Sequence, residues 1–150
     1  MHTVFTNNNA VADFFKQNKD FDCTVKWVAA PAMDVLGAAR ILIRQGALLA
    51  SNPLVGVNLP MKQAVPRNTL LPGKQSSAIF NPYLTVITSA PGEAVDFQSL
   101  KKVDEAIGVY KKNAKLRFVA HNDDAIAHFQ MVDVRSMLQA LSAIFHVNIN

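Results

Sequence analysis

Three apolar runs each end in small polar residues that can hydrogen-bond a ligand. Thr3-Val4-Phe5 leads into Thr6, Asn7, Asn8 and Asn9. Ala47-Leu48-Leu49-Ala50 leads into Ser51, Asn52 and Pro53, and Leu84-Thr85-Val86-Ile87 leads into Thr88 and Ser89. Amides and hydroxyls at the C-terminal ends of parallel strands are where α/β proteins build ligand crevices. A helix starting at Asn9 would add backbone N–H groups and the positive end of a dipole, which suits an anion. If the three strands are neighbours and run the same way, Asn7, Asn8, Asn9, Ser51, Asn52, Thr88 and Ser89 share one rim. Taken singly, each segment is also ordinary turn chemistry with its own local hydrogen bonds.

The better-marked routes to catalysis are missing. His121, Asp123 or Asp124, and His128 can be drawn as metal ligands, but the two histidines share a helical face only if the whole stretch is helical, and no HExxH pattern occurs. They read as surface polar residues around a helix cap, so no metal and no cofactor is expected. Cys23 is the single cysteine, which excludes an intrachain disulfide and a cysteine zinc cluster. Its neighbour Asp22 raises a thiol pKa, so Cys23 reads as inert and partly buried. No GxGxxG, GxxxxGK[ST] or GxSxG is present. No catalytic residue can be named.

The bulk numbers fit one domain, residues 1–150, with a long loop or insertion at 52–82. Half of the 150 residues are hydrophobic and 17% are charged, against roughly a quarter charged in average proteins. So apolar a chain tilts toward a homo-oligomer. The net charge of +4 favours an acidic partner. The densest basic stretch, Lys111 to Arg117, lacks the glycine-aromatic pattern of an RNA-binding sheet. It reads as a solvated helix end, so no nucleic acid is expected. No apolar run approaches the roughly 20 residues of a membrane span, and Met1-His2-Thr3 does not open a signal peptide. The expected compartment is the cytoplasm.

The elements that must position the polar tips follow from spacing. Thr3–Thr6 reads as a strand and the next helix runs from a cap at Asn9 to about Asn18, with Val11, Phe14 and Phe15 on its apolar stripe. Thr24–Ala29 reads as a second strand. Pro31 suits the start of a helix over Ala32–Gln45, and Gly46 closes it. Ala47–Ser51 follows as a strand, which gives a βαβ crossover. Part of the 52–82 connection, around Leu54 to Met61, is expected to pack on the body, and 62–74 to be the mobile part. Tyr83–Thr88 is the fourth strand. A helix starts at Asp96 or Ser99 and runs to Lys112 with Leu100, Val103, Ile107 and Tyr110 on one face. Leu116–Ala120 is a strand or prolongs that helix; Asn122 or Asp123 caps a short turn, and Asp133 caps a final helix. The expected fold is α/β, a small three-layer sandwich with a mostly parallel sheet of four to five strands flanked by helices.

Four segments resemble the GrdX type, small proteins encoded with the glycine, sarcosine and betaine reductase complexes of amino-acid-fermenting bacteria. They are Val4 to Asn8, Gly46 to Leu54, Asn81 to Ile87, and Phe129 to Asp133. In that family a glycine-led strand ends in an X-Pro-Leu segment, a Pro-Tyr pair opens the next strand, and an aromatic residue leads into an apolar-Asp segment. Residues 57–77 look like an insertion relative to that pattern. The resemblance marks Asn7, Asn52, Pro53, Pro82, Tyr83 and Asp133, and it implies an accessory role without supplying catalytic residues.

Three functions stay open. The first is a non-enzymatic accessory or binding protein, whose partner is a small polar or anionic metabolite or a protein of a reductase complex. The second is an enzyme of unmarked, transferase-like type acting on a phosphorylated or carboxylated substrate, with Lys62, Arg67 and Lys74 on a closing loop. The third is a structural subunit that forms oligomers.

Overall fold

The structure is a computed structural model, and it describes residues 1–54, 81–112 and 123–148. Elements follow in the order β1 (His2–Thr6), α1 (Asn9–Gln17), β2 (Cys23–Trp27), α2 (Ala32–Arg44), β3 (Thr85–Thr88), α3 (Phe97–Lys112) and α4 (Asp123–Phe145). The expectations for 55–80, including packing at 55–61, mobility at 62–74 and the basic residues Lys62, Arg67 and Lys74, lie outside the described residues. So do those for Leu116–Ala120, His121 and Asn122.

The sheet corrects the expected topology. Among the described residues it has three strands in the order β2-β1-β3. β1 pairs in parallel with β2, Val4 opposite Val25, and antiparallel with β3, Thr6 opposite Thr85 and Thr3 opposite Thr88. The sheet is therefore mixed and, among the described residues, smaller than four to five strands. Ala47–Ser51 does not form a regular strand. It touches β3 through one isolated antiparallel bridge, Leu49 to Thr88, with the backbone bonds Ala50 N–H to Ile87 C=O and Ser89 N–H to Leu48 C=O, each 2.8 Å.

Serine hydroxyls explain the broken ladder. Leu48 N–H donates to Ser89 Oγ, Leu49 N–H to Ser99 Oγ and Ile87 N–H to Ser51 Oγ. Side chains here accept bonds that carbonyls accept in a regular strand pair, so the segment stays beside β3 without joining the sheet.

Strand alternation sorts the core into two halves. Phe5 and Val86 pack with Val35, Leu36 and Ala39 of α2 and Ala106 of α3. Val4 and Ile87 point the other way, to Val11 and Phe15 of α1 and Met137 and Leu141 of α4. Helices thus cover both faces, and β3 is buried along its whole length. Each such fully buried aliphatic side chain contributes about 1.5–3 kcal/mol relative to exposure. Across the top of α2 and α3, Arg40 Nε donates to Asp104 Oδ1 at 2.6 Å.

Helix ends follow local chemistry. Asn8, one residue before the expected Asn9, caps α1 by accepting from Ala10 N–H. Asp96 caps α3, with its carboxylate accepting from Ser99 N–H and Ser99 Oγ; these bonds, hydroxyl first, hold its pKa below the ordinary value. Gly46 ends α2 at φ +99°. Gly46 N–H bonds Ile43 C=O and Ala47 N–H bonds Leu42 C=O, the double bond pattern of a Schellman closure. A Cβ on Gly46 would sit 2.7 Å from the carbonyl carbon of Gly92, so two turns distant in sequence meet backbone to backbone.

Gly46→Ala is expected to lower unfolding free energy by about 2 kcal/mol or more, from forced φ and collision together. Gly37→Ala, in α2 with nothing within 4 Å of the added carbon, is expected to raise it by about 0.5–1 kcal/mol. Urea unfolding of both variants checks the pair.

Candidate functional site

The longest helix carries the most unusual side chain. The buried residues of α4 are Ala125, Phe129, Asp133, Met137 and Leu141, an unbroken four-residue step. An aspartate occupies the middle of an apolar stripe. The expectation that Asp133 caps a final helix is overturned, because α4 begins at Asp123, and Ala125 and Phe129 carry the same buried face upstream.

Asp133 is 5% exposed and sits in a polar cluster built by β1, β3 and the cap of α1. Its Oδ2 accepts from Thr85 Oγ1 at 2.7 Å and from Asn8 Nδ2 at 3.0 Å. The Thr85 hydroxyl also lies 2.8 Å from that of Thr6, and Thr6 Oγ1 accepts from Asn8 N–H at 3.0 Å. Asn8 donates a second time to Gln130 C=O. Nearby, the fully buried Asn81 donates to Phe129 C=O and accepts from Tyr83 N–H. Burial raises the Asp133 pKa above the ordinary carboxylate value, and the bonds from Asn8 and Thr85 oppose that rise. Burial, then the Asp133 charge, raises the Tyr110 phenol as well.

The residues expected on one rim divide among several places. Asn7 is a clamp: its amide donates to Ala30 C=O and Pro82 C=O and accepts from Leu84 N–H. Asn8 is committed to the Asp133 cluster. Because β3 runs antiparallel to β1, Thr88 and Ser89 lie at the end of the sheet where β1 begins, away from Asn7, Asn8 and Asn9. The shared rim required strands running the same way, and the reversal of β3 removes it. The Thr88 hydroxyl is buried with no hydrogen-bond partner among the described residues.

Two open clefts hold the rest. Asn9 lines a cleft of about 820 Å3 between α1 and β2, beside Phe15, Phe21, Cys23, Val25 and Trp27. Ser51 and Asn52 line another, of about 570 Å3, where the 49–54 segment meets Lys102 and Glu105 of α3 and Gln139 of α4. Ser51 Oγ accepts from Ile87 N–H and Asn52 Oδ1 from Leu54 N–H, so this Asn52 bond uses its oxygen and not its N–H groups. This second cleft combines a cation, a carboxylate and two amides, a set that can hold a small polar molecule by hydrogen bonds and charge. Lys102 and Gln139 carried no motif that sequence reading could use. Only the assembled faces of α3 and α4 bring them to Asn52.

Cys23 is half-buried, and its thiol pKa is pushed up to about 11, by burial first and by Asp22 second. A thiol so protonated is a poor nucleophile. Among the described residues, no three His, Cys, Asp or Glu side chains gather to hold a metal ion, and no helix is long and apolar enough to cross a membrane. Comparisons of the chain with protein-family models, curated proteins and solved structures gave no match.

Two outcomes are expected. Below the ordinary aspartate pKa of about 3.9, folded and unfolded chains both hold the Asp133 proton and its contribution to stability is fully present. As pH rises through the raised folded value, that contribution is lost. Asp133→Asn keeps an acceptor for Thr85 and Asn8 without titrating, so the wild type should lose stability relative to the variant from about pH 4 toward neutrality, read by denaturant midpoints across pH. Thr88→Val removes the unpartnered hydroxyl and should stabilise by about 1 kcal/mol, read by the same titration at one pH.

Proposed function

We propose that the chain is a non-enzymatic accessory protein that binds a small polar or anionic metabolite in the cleft beside Asn52. The observation that supports the reading most is the convergence there of Lys102, Asn52 and Gln139 from three separate segments. An ammonium on a flexible stem meets a carboxylate or phosphate as a point charge, while the amides fix orientation. The site proposed from the strand tips moves accordingly: Ser51 and Asn52 stay, and Asn7 and Asn8 serve the fold.

The GrdX-type resemblance supplies the context of this proposal, an accessory component of a bacterial glycine, sarcosine or betaine reductase system acting in the cytoplasm. Substrates of that kind carry a carboxylate and a cationic nitrogen, and Lys102 with Glu105 offers one charge for each. The transferase-like alternative needs a general acid or base at the cleft. Among the described residues Lys102 and Glu105 are the ionisable groups that line it, and the buried Asp133 and Tyr110 line neither cleft.

Calorimetric titration with amino acids, betaine-type zwitterions, sugar phosphates and nucleotides tests the reading. At least one compound should bind and raise the melting temperature by mass action. Lys102→Ala should weaken that binding about tenfold, roughly 1.4 kcal/mol, and Asn52→Ala should weaken it with little loss of stability. Equal affinity in wild type and both variants would move the site elsewhere.

A further inference from the structure

Among the described residues β2 is an edge strand, and its alternation says which of its backbone groups are unused there. His2 N–H donates to Asp22 C=O and Val28 N–H donates to Thr6 C=O. In a parallel pair every second residue bonds the neighbour. Thr24 and Lys26 therefore bond β1, while Cys23, Val25 and Trp27 aim their N–H and C=O groups away from the sheet. Cys23 N–H turns back to Phe21 C=O. Val25 and Trp27 keep outward N–H groups, and Cys23 and Val25 keep outward C=O groups. Such an edge, with no proline in it, is a template for another strand.

We propose that a second copy of this chain pairs with β2 across a two-fold axis at Val25, joining the two three-stranded sheets into one. An antiparallel register centred on Val25 matches the unused groups with one another. Val25 N–H meets the partner's Val25 C=O in both directions, and Trp27 N–H meets the partner's Cys23 C=O in both directions. The interface is isologous, the common form for homodimers.

Side chains agree with this register. Cys23, Val25 and Trp27 share the face that lines the cleft along α1. Trp27 is 48% exposed and would fall opposite the partner's Cys23, beside the partner's Phe21 and Phe15, so each indole fills part of the other copy's cleft. Lys26 would face the partner's Thr24, which keeps the two ammonium groups from meeting directly, a contact that costs stability. A second copy brings each Trp27 to the other's aromatic cleft and each Lys26 to the other's Thr24 in one and the same register.

Sedimentation velocity, hydrogen exchange and directed cross-linking test it. The protein should sediment at twice its 16.4 kDa chain mass, and the Val25 and Trp27 amides should exchange slowly at high concentration and faster on dilution. In a Cys23→Ser background, Val25→Cys should oxidise to a covalent dimer, because directly opposed bonded residues have Cα atoms about 5.5 Å apart, within disulfide reach. Thr24→Cys in the same background, whose counterpart is Lys26, should not. Trp27→Lys should shift the wild-type dimer to monomer. A monomer at every concentration up to the solubility limit overturns the proposal. So does a dimer whose Val25 and Trp27 amides exchange freely, or one in which Thr24→Cys cross-links as readily as Val25→Cys.

Discussion

Four segments meet at one buried carboxylate. Asp133 holds α4 against the start of β3 through Thr85 and against the cap of α1 through Asn8, and Thr6 of β1 closes the ring. A buried carboxyl without partners costs several kcal/mol, so this arrangement tolerates few alternatives. If α4 slipped by a residue, Asp133 would leave its donors and an apolar neighbour would face two hydroxyls and an amide. The apolar faces on either side can pack in more than one way, whereas the polar ring accepts one register. It thereby sets where the long helix lies on the sheet.

That constraint explains why the asparagines of the first turn serve the fold. Asn7 joins the ends of β1 and β3 to the loop before α2, and Asn8 caps a helix while bonding two groups of α4. Polar residues after a strand suit a ligand crevice when all strands point one way. Here β3 points back, and the polar residues at the β1 exit become the means by which crossing chains are tied together. The cleft lined by Asn52, Lys102 and Gln139 lies elsewhere, where an irregular segment lies against two helices.

Much of the local structure was legible. Apolar spacing marked α1, α2 and α3, and Gly46 marked the end of α2, because each signal is carried by residues close in sequence. The start of α3 at Asp96 was equally local. Strand direction was not legible, since nothing in Leu84 to Thr88 records which way it meets β1. The loss of a strand at Ala47–Ser51 depended on Ser89 and Ser99, far along the chain. Asp133 was misread as a cap because aspartate before an apolar run usually is one. The four-residue step from Ala125 to Leu141 held the contrary signal. The cleft residues Lys102 and Gln139 had no local mark, as surface positions of helices rarely do.

The contact between Gly46 and Gly92 ties together the histories of two loops. The constraint is one-sided: a Cβ on Gly46 would run into the Gly92 backbone, whereas one on Gly92 would sit 3.0 Å from the Gly46 carbonyl oxygen. In any lineage carrying this fold, Gly46 should persist for as long as the loop at Gly92 keeps its path. A sequence that had replaced Gly46 would be expected to have rebuilt the loop opposite.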